Sequence, residues 1–574
     1  CTSLTSVQLP DGLTRIGGFS GCTALTSVNI PNSVTTIEGN AFSGCTSLTS
    51  IEIPNSVEEI YANAFSGCTY LASIDIPNNV TYIGNEVFSN CSSLKSINVN
   101  EKNANYSSLD GVLFNKDKTK LIKYPEGKED KSYSIPNDVT EIANAFRNCI
   151  FLTSVRLPSG LKIIGSVMEF DGCSSLQSIE VDEKNENYTS IDGVLFYKDK
   201  TRLVLYPAAK ENESYSIPNG VVWIDYAAFN RCSNLVSVVI PSSVETIIFH
   251  RGFYRCTSLK SIIVDENNKD YSSVDGVLFT KNKGALLQYP LGKTDTSYSI
   301  PDSVKYIGDE AFCGCTYLNS VEIPNNVENI FINAFSNCTS LVSVIIYSDK
   351  ITSFGESYIS SWIYEREVFD NCPALTVYGY ENSYVQGYMN KYNIPFKIIG
   401  KEALIDPESY IMIENPNLEN LTLEAKKSAD STDFRMIYNI TLKDEAGKEV
   451  QPAGEVTVKL PLPEGWKDAA VSRRESNNAL TDMNAVCENG YAVFVTDHFS
   501  EYVLALKPDT QLGDLNSDKT TNAIDAKWVL QYVSGSRALT PAQKAAADVN
   551  SDGTVNAVDA KWILQSVSGS RVLG

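Results

Sequence analysis

Histidine is nearly missing from this 574-residue chain, which holds only His250 and His498. Catalysis built on Ser-His or Cys-His pairs, and metal centres built on imidazole, must use one of these two or be absent. Basic residues are also short, with 47 Lys+Arg against 69 Asp+Glu and a formal net charge of −22. A surface that acidic repels phosphate backbones, so nucleic acid is not an expected partner, whereas cations are. No apolar run reaches the roughly 18 residues that a membrane-spanning helix requires. What remains is 43% hydrophobic and 20% charged, the make-up of a core-forming chain rather than a disordered one. The length suggests about three to five domains, or fewer where one is a long repeat array.

Such an array fills the first two thirds. Cys45-Thr-Ser-Leu-Thr-Ser-Ile-Glu-Ile-Pro54-Asn-Ser-Val returns as Cys68-Thr-Tyr-Leu-Ala-Ser-Ile-Asp-Ile-Pro77-Asn-Asn-Val, and Cys22, Cys45, Cys68 and Cys91 are 23 apart. A period of 20–29 with aliphatic residues at fixed offsets marks a leucine-rich solenoid. Each unit is expected to supply one short strand, such as Leu48–Ile53, ended by a proline that cannot donate to the next ladder bond. One unit cannot bury its own apolar face, so the units must stack.

A larger period lies over the small one. Val99, Val181, Val264 and Ile346 end strands at intervals of 82, 83 and 82. Each interval holds an insert: Asp110-Gly-Val-Leu-Phe114, Asp192-Gly-Val-Leu-Phe196 and Asp275-Gly-Val-Leu-Phe279, each followed by a polar turn and a stretch ending in Tyr-Pro. Two strands around a polar turn read as a β-hairpin. Three tyrosine families recur with it: Tyr106/Tyr188/Tyr271, Tyr124/Tyr206/Tyr289 and Tyr133/Tyr215/Tyr298. They either form a periodic surface for an extended glycan or protein ligand, or pack the hairpins onto the rungs.

Twelve of the 14 cysteines share one repeat phase. Stacked rungs lie about 4.8 Å apart, but thiols at one phase point the same way and each has two equivalent neighbours, so a reduced core ladder is expected. Cys313 is off phase, which points to exposure. Cys1 invites comparison with acylated lipoproteins, but Cys1-Thr-Ser-Leu-Thr-Ser repeats Cys45-Thr-Ser-Leu-Thr-Ser, so the sequence is expected to begin inside a repeat of a mature form or fragment.

Through its Ile-Pro-Asn-Ser-Val, Asn-Ala-Phe and Gly-Cys-Thr-Ser-Leu elements, the chain resembles the BspA-like bacterial leucine-rich repeat family over residues 1–400. The resemblance implies a surface or secreted binding protein. Val377 to Gly400 reads as a terminal cap. Residues 401–507 then change character: Tyr410–Ile413, Leu421–Ala425, Met436–Leu442, Val456–Leu460 and Tyr491–Val495 are short alternating segments, expected to form an antiparallel β-sandwich that acts as a spacer. Cys487 and His498 are read as structural, with no third group to make them nucleophile and base.

Residues 508–574 carry the most specific signal. Asp514, Asn516, Asp518, Thr520, Asn522 and Asp525 recur 34 residues later as Asp548, Asn550, Asp552, Thr554, Asn556 and Asp559. These are positions 1, 3, 5, 7, 9 and 12 of a calcium loop, position 7 serving through its carbonyl. An all-oxygen set without Cys or His disfavours zinc. Each loop runs into a helix, Ala526–Val533 or Ala560–Val567, and no helix is expected before it. A duplicated loop of this kind resembles a type I dockerin, over residues 512–574.

That resemblance implies two calcium ions, a cohesin module of a scaffoldin as partner, and recognition through Ala523, Ile524, Lys527, Trp528 and Gln531 and their counterparts Ala557, Val558, Lys561, Trp562 and Gln565. The alternative for both tryptophans is a place in the dockerin core. Because the halves match, binding in either of two orientations is expected. Loop position 6 is Gly553 in the second copy but Lys519 in the first, which should weaken the first site by about 1 kcal/mol.

The expected architecture is therefore multidomain: a leucine-rich-repeat solenoid of short parallel β-strands, an antiparallel β-sandwich, and a small α-helical paired calcium-loop dockerin. The expected function is non-catalytic and extracellular, cellulosome- or cell-surface-associated binding. The alternative is a cellulosomal polysaccharide-degrading or polysaccharide-processing enzyme, since most dockerin-bearing proteins degrade glycans and a glycosidase needs paired carboxylates in a cleft.

Overall fold

Proline sets where each rung turns. In the first rungs the chain runs extended into Pro31, Pro54 or Pro77, and the N–H of the valine three residues on returns to the proline carbonyl, at 3.0 Å for Val34 and Val57. After that turn a second strand of two residues forms, such as Glu59–Ile60 or Tyr82–Ile83. Most rungs thus hold two strands where the sequence suggested one. The first strand is the longer, as in Ser73–Ile76, Ser96–Val99 and Ser237–Ile240. Pairing between rungs is parallel and in register: Ser73 faces Ser96, and Ile76 faces Val99. Leu48–Ile53 departs from this pattern and makes only an isolated bridge, between Glu52 and Asn29.

This computed structural model describes residues 1–573 except 166, 249–251, 356–366, 401, 407–408, 416–417, 419, 464–465, 467, 476, 478, 489–490, 508–511, 517 and 569. His250 and the two expected domain boundaries, 401 and 508, lie outside the described residues.

Two ladders run the length of the stack. Phe19, Phe42, Phe65 and Phe88 lie ring over ring with centroids 5.4, 5.6 and 6.0 Å apart. Beside them the ladder thiols donate to the carbonyls of the rung before: Cys45 to Phe19 at 3.1 Å, Cys68 to Phe42 at 3.2 Å, Cys91 to Phe65 at 3.1 Å. All fourteen cysteines are thiols, and burial pushes Cys45 up to about 11 and Cys91 up to about 12. Cys313 is buried at 7% exposure, so the expectation of a surface thiol fails. Its phase differs, but it sits in the same turn as Cys315, one face of which is covered by the next rung.

The inserts are three-stranded meanders rather than hairpins. In the first, Val112–Asn115 pairs antiparallel with Tyr106–Leu109 on one side and with Lys120–Lys123 on the other. Asp110 and Gly111 both have positive φ, +51° and +79°, the geometry that a tight two-residue hairpin turn demands. That Asp-Gly signal recurs at Asp192-Gly193 and Asp275-Gly276 and marks the strand overlooked in the sequence. Lys120–Lys123 then pairs parallel with Glu141–Ile142, which returns the chain to the rung lattice.

Each insert is pinned by one buried asparagine. The Asn103 amide donates to the Pro77 and Val80 carbonyls at 2.7 and 3.0 Å, and its Oδ1 accepts from the N–H groups of Asn105 and Tyr106. Asn185 and Asn268 repeat the pattern. An amide with four buried partners is fully satisfied, which is why a polar side chain stands in the core.

The stack ends in a helix, α1 (Tyr384–Lys391), capped by the Ser383 hydroxyl; Val385 and Met389 close the core. Downstream, a five-stranded and a six-stranded antiparallel sheet share one apolar core, with 449–450 joining the second by pairing with 435–443. One orders 403–405, 412–414, 456–461, 491–496 and 486–488; the other 422–427, 435–443, 501–506, 469–474 and 480–482. Met412 and Tyr491 of the first sheet also pack on Ile345 and Tyr378 of the last rungs. The Cys487 thiol donates to the Ala469 carbonyl at 3.3 Å, and His498 is exposed.

The remaining helices are α2 (Ala523–Val533), α3 (Pro541–Ala547) and α4 (Ala557–Val567). Helix α3 corrects the expectation that no helix precedes a loop, because it runs directly into Asp548. Its signal was in the sequence: Thr540 caps, Pro541 takes the first helical position, and Gln543 closes a capping box.

The thiol ladder makes a prediction. At pH 8 in the folded protein a thiol reagent labels Cys1 rapidly, Cys372 and Cys487 slowly, and the eleven buried cysteines only after denaturation. Rapid native labelling of Cys68 or Cys91, read by peptide mass mapping, would contradict the packing described.

Candidate functional site

The two loop–helix copies are built alike. Asp514 Oδ2 accepts from the Lys519 N–H at 2.9 Å, and Asp548 Oδ2 from the Gly553 N–H at 2.8 Å. Asp518 and Asp552 each accept from a threonine, Thr520 and Thr554, at the backbone N–H and the hydroxyl. Asn522 and Asn556 cap α2 and α4, accepting from the N–H groups of Ile524 and Val558 at 2.8 and 2.7 Å. Asp525 and Asp559 return the bond to the N–H groups of Asn522 and Asn556, at 2.8 and 2.9 Å. The last acidic position of each loop therefore also closes the capping box of the helix it starts.

That double duty brings carboxylates into a buried space. Asp525 and Asp559 are fully buried, and Asp514 and Asp548 nearly so. Asp559 Oδ1 is buried with no hydrogen-bond partner among the described residues. Burial, together with the neighbouring Asp559 and Asp552 carboxylates, pushes Asp548 up to about 6. Crowded, desolvated carboxylates with an orphaned oxygen favour a cation. Among the described residues no three carboxylates, thiols or imidazoles form a metal cluster on their own. Each loop depends on the mixed set of carboxylate, amide and carbonyl oxygens, such as Asp548, Asn550, Asp552, Thr554, Asn556 and Asp559. These residues fit a hard cation such as calcium.

Lys519 adopts the left-handed backbone with φ +67°, where Gly553 has φ +86°. A Cβ at Gly553 would also strike the Arg435 side chain, whose Nη1 donates to the Ser551 carbonyl at 3.4 Å. The second loop is thus braced from the neighbouring sheet, while the first carries a strained lysine.

Helices α2 and α4 pack on each other and bury Ala526, Val529, Ala560 and Ile563. Of the residues expected to recognise a partner, Ala523, Ile524 and Lys527, and likewise Ala557, Val558 and Lys561, are exposed. Gln531 and Gln565 are half-buried, and Gln531 Oε1 is held by Arg537. Trp528 and Trp562 are half-buried against the core, and the Arg537 and Arg571 guanidiniums cover their rings. Apolar residues outside the sequence reading are exposed on the same helices. Leu530 and Val533, with Leu564 and Val567, are 45–49% exposed and form a second apolar face, turned away from Ile524 and Val558. The signal was a helix with apolar residues on two faces, wider than one buried stripe needs.

The tyrosine surface is also corrected. Tyr124, Tyr206 and Tyr289 are fully buried and take phenylalanine's place in the ring ladder, 5.5, 5.4 and 5.2 Å from Phe146, Phe229 and Phe312. Tyr133, Tyr215 and Tyr298 lean on them at 4.8–4.9 Å. Tyr106, Tyr188 and Tyr271 accept from the N–H groups of Ile83, Ile164 and Ile247. Hairpin side chains turn inward because the insert replaces a rung's own core residues.

The family model for the BspA type leucine rich repeat region matches residues 1–118, 126–207, 205–282 and 293–383, more than half of the chain. The chain belongs to the BspA-type leucine-rich repeat family. This repeat protein ends in a type I dockerin domain, matched over residues 512–568. Among solved structures it is similar to a leucine rich cell surface protein from Faecalibacterium prausnitzii (25% identity, covering 61% of this chain and 86% of that one, TM-score 0.34). It is also similar to the pneumococcal vaccine antigen PcpA (22%, 69% and 85%, TM-score 0.32) and to a leucine-rich repeat protein from Bacteroides ovatus (24%, 69% and 92%, TM-score 0.26). Among curated proteins none matches.

Two predictions follow from these geometries. Lys519→Gly in the BspA-type chain relieves the left-handed strain and tightens calcium at the first loop roughly fivefold by calorimetry, about 1 kcal/mol. Tyr206 differs from its relatives: Tyr124 and Tyr289 donate to Asp130 and Asp295, but the buried Tyr206 hydroxyl has no partner among the described residues. Tyr206→Phe should therefore raise, and Tyr289→Phe lower, the denaturation free energy of the repeats by about 1 kcal/mol each.

Proposed function

We propose that this is a secreted, non-catalytic binding protein. Its dockerin holds it to a cohesin module of a scaffoldin in a calcium-dependent way, and its solenoid recognises a glycan or protein ligand. The observation that carries the reading is the paired loop–helix unit, with two oxygen-lined loops that set the starts of α2 and α4. Calcium at each loop would supply positive charge that offsets the buried carboxylates and so fixes the angle between loop and helix. Asp525 and Asp559 orient their helices through the capping bonds, and the exposed Ile524, Leu530 and Val533, with Val558, Leu564 and Val567, offer apolar contact area of the kind interfaces centre on.

Tethering acts through effective concentration: a weak ligand site held at a surface meets its ligand more often than one in free solution. The sandwich-like pair of sheets between the two serves as spacer. The protein works outside the cell, in a cellulosome or at a cell surface.

The test is calorimetric titration of the full chain with a type I cohesin. Tight binding in calcium should vanish with chelator. Because the halves match, Ile524→Asp/Leu530→Asp alone should retain binding through the second half, and adding Val558→Asp/Leu564→Asp should abolish it. Calcium binding with no cohesin binding would refute the tether.

A further inference from the structure

The short second strands form a continuous ladder from Arg15–Ile16 through Thr36–Ile37 and Glu59–Ile60 to Tyr82–Ile83, and there the sheet stops. The next sheet starts on the insert edge Tyr106–Leu109. Across the break the Ile83 N–H donates to the Tyr106 hydroxyl at 2.9 Å. The break recurs at Ile164/Tyr188 and Ile247/Tyr271. At the first break a cleft of about 690 Å³ opens between the rung at residues 81–89 and the insert. That is within the range of sites for small ligands, about 300–1,000 Å³.

The second break is lined differently from the first. Tyr197 and Arg202 stand where the first insert has Asn115 and Lys120. The Tyr197 ring lies 5.4 Å from Tyr188, and the Arg202 guanidinium lies 5.1 Å over Tyr197. The smaller pair at the first break leaves the space.

The lining of that space has a definite chemistry. The amides of Asn85, Asn105 and Asn144 line it, and among the described residues none of the three makes a side-chain hydrogen bond. Each amide both donates and accepts. The Asn144 turn is fixed from beneath by the buried Glu169 carboxylate, which accepts the Asn144 N–H at 2.5 Å. The charged groups are already neutralised: Glu86 by Arg147 at 3.5 Å, Lys120 by Glu141 at 2.6 Å and Lys123 by Glu126 at 2.8 Å. Ile83, Val87 and Leu113 provide apolar wall. Tyr106 lines it as well.

Solvent-facing amides, balanced charge and an apolar wall suit a ligand that is neutral, polyhydroxylated and apolar on its ring faces. A peptide adding as a strand would need the free edge of Tyr82–Ile83, but Tyr106 occupies the Ile83 N–H. We propose that this cleft binds a neutral oligosaccharide, with sugar hydroxyls on the asparagine amides and ring faces against the wall of Ile83, Val87 and Leu113. This rests on the reading of the repeats as the ligand-recognising part of the protein.

The experiment is calorimetry of the full chain with cellotetraose, xylotetraose and mannotetraose up to millimolar concentration, in calcium and in chelator. At least one should bind, equally in both conditions. Asn85→Ala/Asn105→Ala should weaken that binding at least roughly tenfold, and Asn144→Gly several-fold. Trp223→Ala, an exposed ring at the second break, should leave it unchanged. In each variant the buried cysteines must stay unreactive, so that lost binding is not lost fold. Binding of none of the three sugars, or binding indifferent to both cleft variants, would overturn the proposal. Cohesin retention is measured on the same samples: its loss with sugar binding intact fails the tether and leaves the cleft standing.

Discussion

A rung of this chain has no inside of its own. Its phenylalanine and cysteine are buried only because the rungs before and after cover them, and its thiol finds its nearer acceptor on the previous rung. Every other feature of the solenoid depends on that contact between neighbours. It sets the conserved spacing of strand, proline turn and ring, since a residue shifted by one position would meet no partner in the next layer. It also explains why a side chain as reactive as cysteine is used at so many layers: it is small, it packs as an apolar group, and its weak donor reaches a carbonyl that the turn leaves open.

The inserts test how far the contact can be stretched. Each adds strands that belong to no rung, and after each the ladder of rings starts again with the Tyr-Pro tyrosine standing in for phenylalanine. The cost is a hydroxyl in the core. Asp130 and Asp295 meet it twice; at Tyr206 the corresponding position is Asn212, and the hydroxyl is left alone. Where the second sheet cannot continue across an insert, a tyrosine hydroxyl takes the orphaned amide. A break in the sheet is tolerated because each exposed donor at its edge is given a partner.

Much of this was legible beforehand. The 23-residue and 82-residue periods located the rungs and inserts because they record contacts between identical layers. The calcium loops were legible because six oxygen-bearing positions at fixed spacing, copied twice, have no other common use. Other features were hidden for physical reasons. Asn103, Asn185 and Asn268 look like ordinary turn residues, since polarity ordinarily reports exposure and here reports four buried bonds. The tyrosines recur with the period of a surface motif, but periodicity cannot say which way a side chain faces. Trp528 and Leu530 lie two positions apart on one helix, and only the neighbouring helix and Arg537 decide which of them is covered. Helix α3 is seven residues long and too short for periodicity; its capping box was its only mark.

The pinning asparagine, the inward tyrosine and the double-glycine-like turn return together every 82 or 83 residues. A block of that size begins and ends on the same lattice contacts. Gain or loss of a later block would leave the first rungs and first insert, with their open cleft, and the terminal helix, with the sheets docked behind it, chemically unchanged. The molecule can therefore vary its reach in fixed increments, like a telescoping mast, setting how far its outer end stands from its anchor without redesigning either.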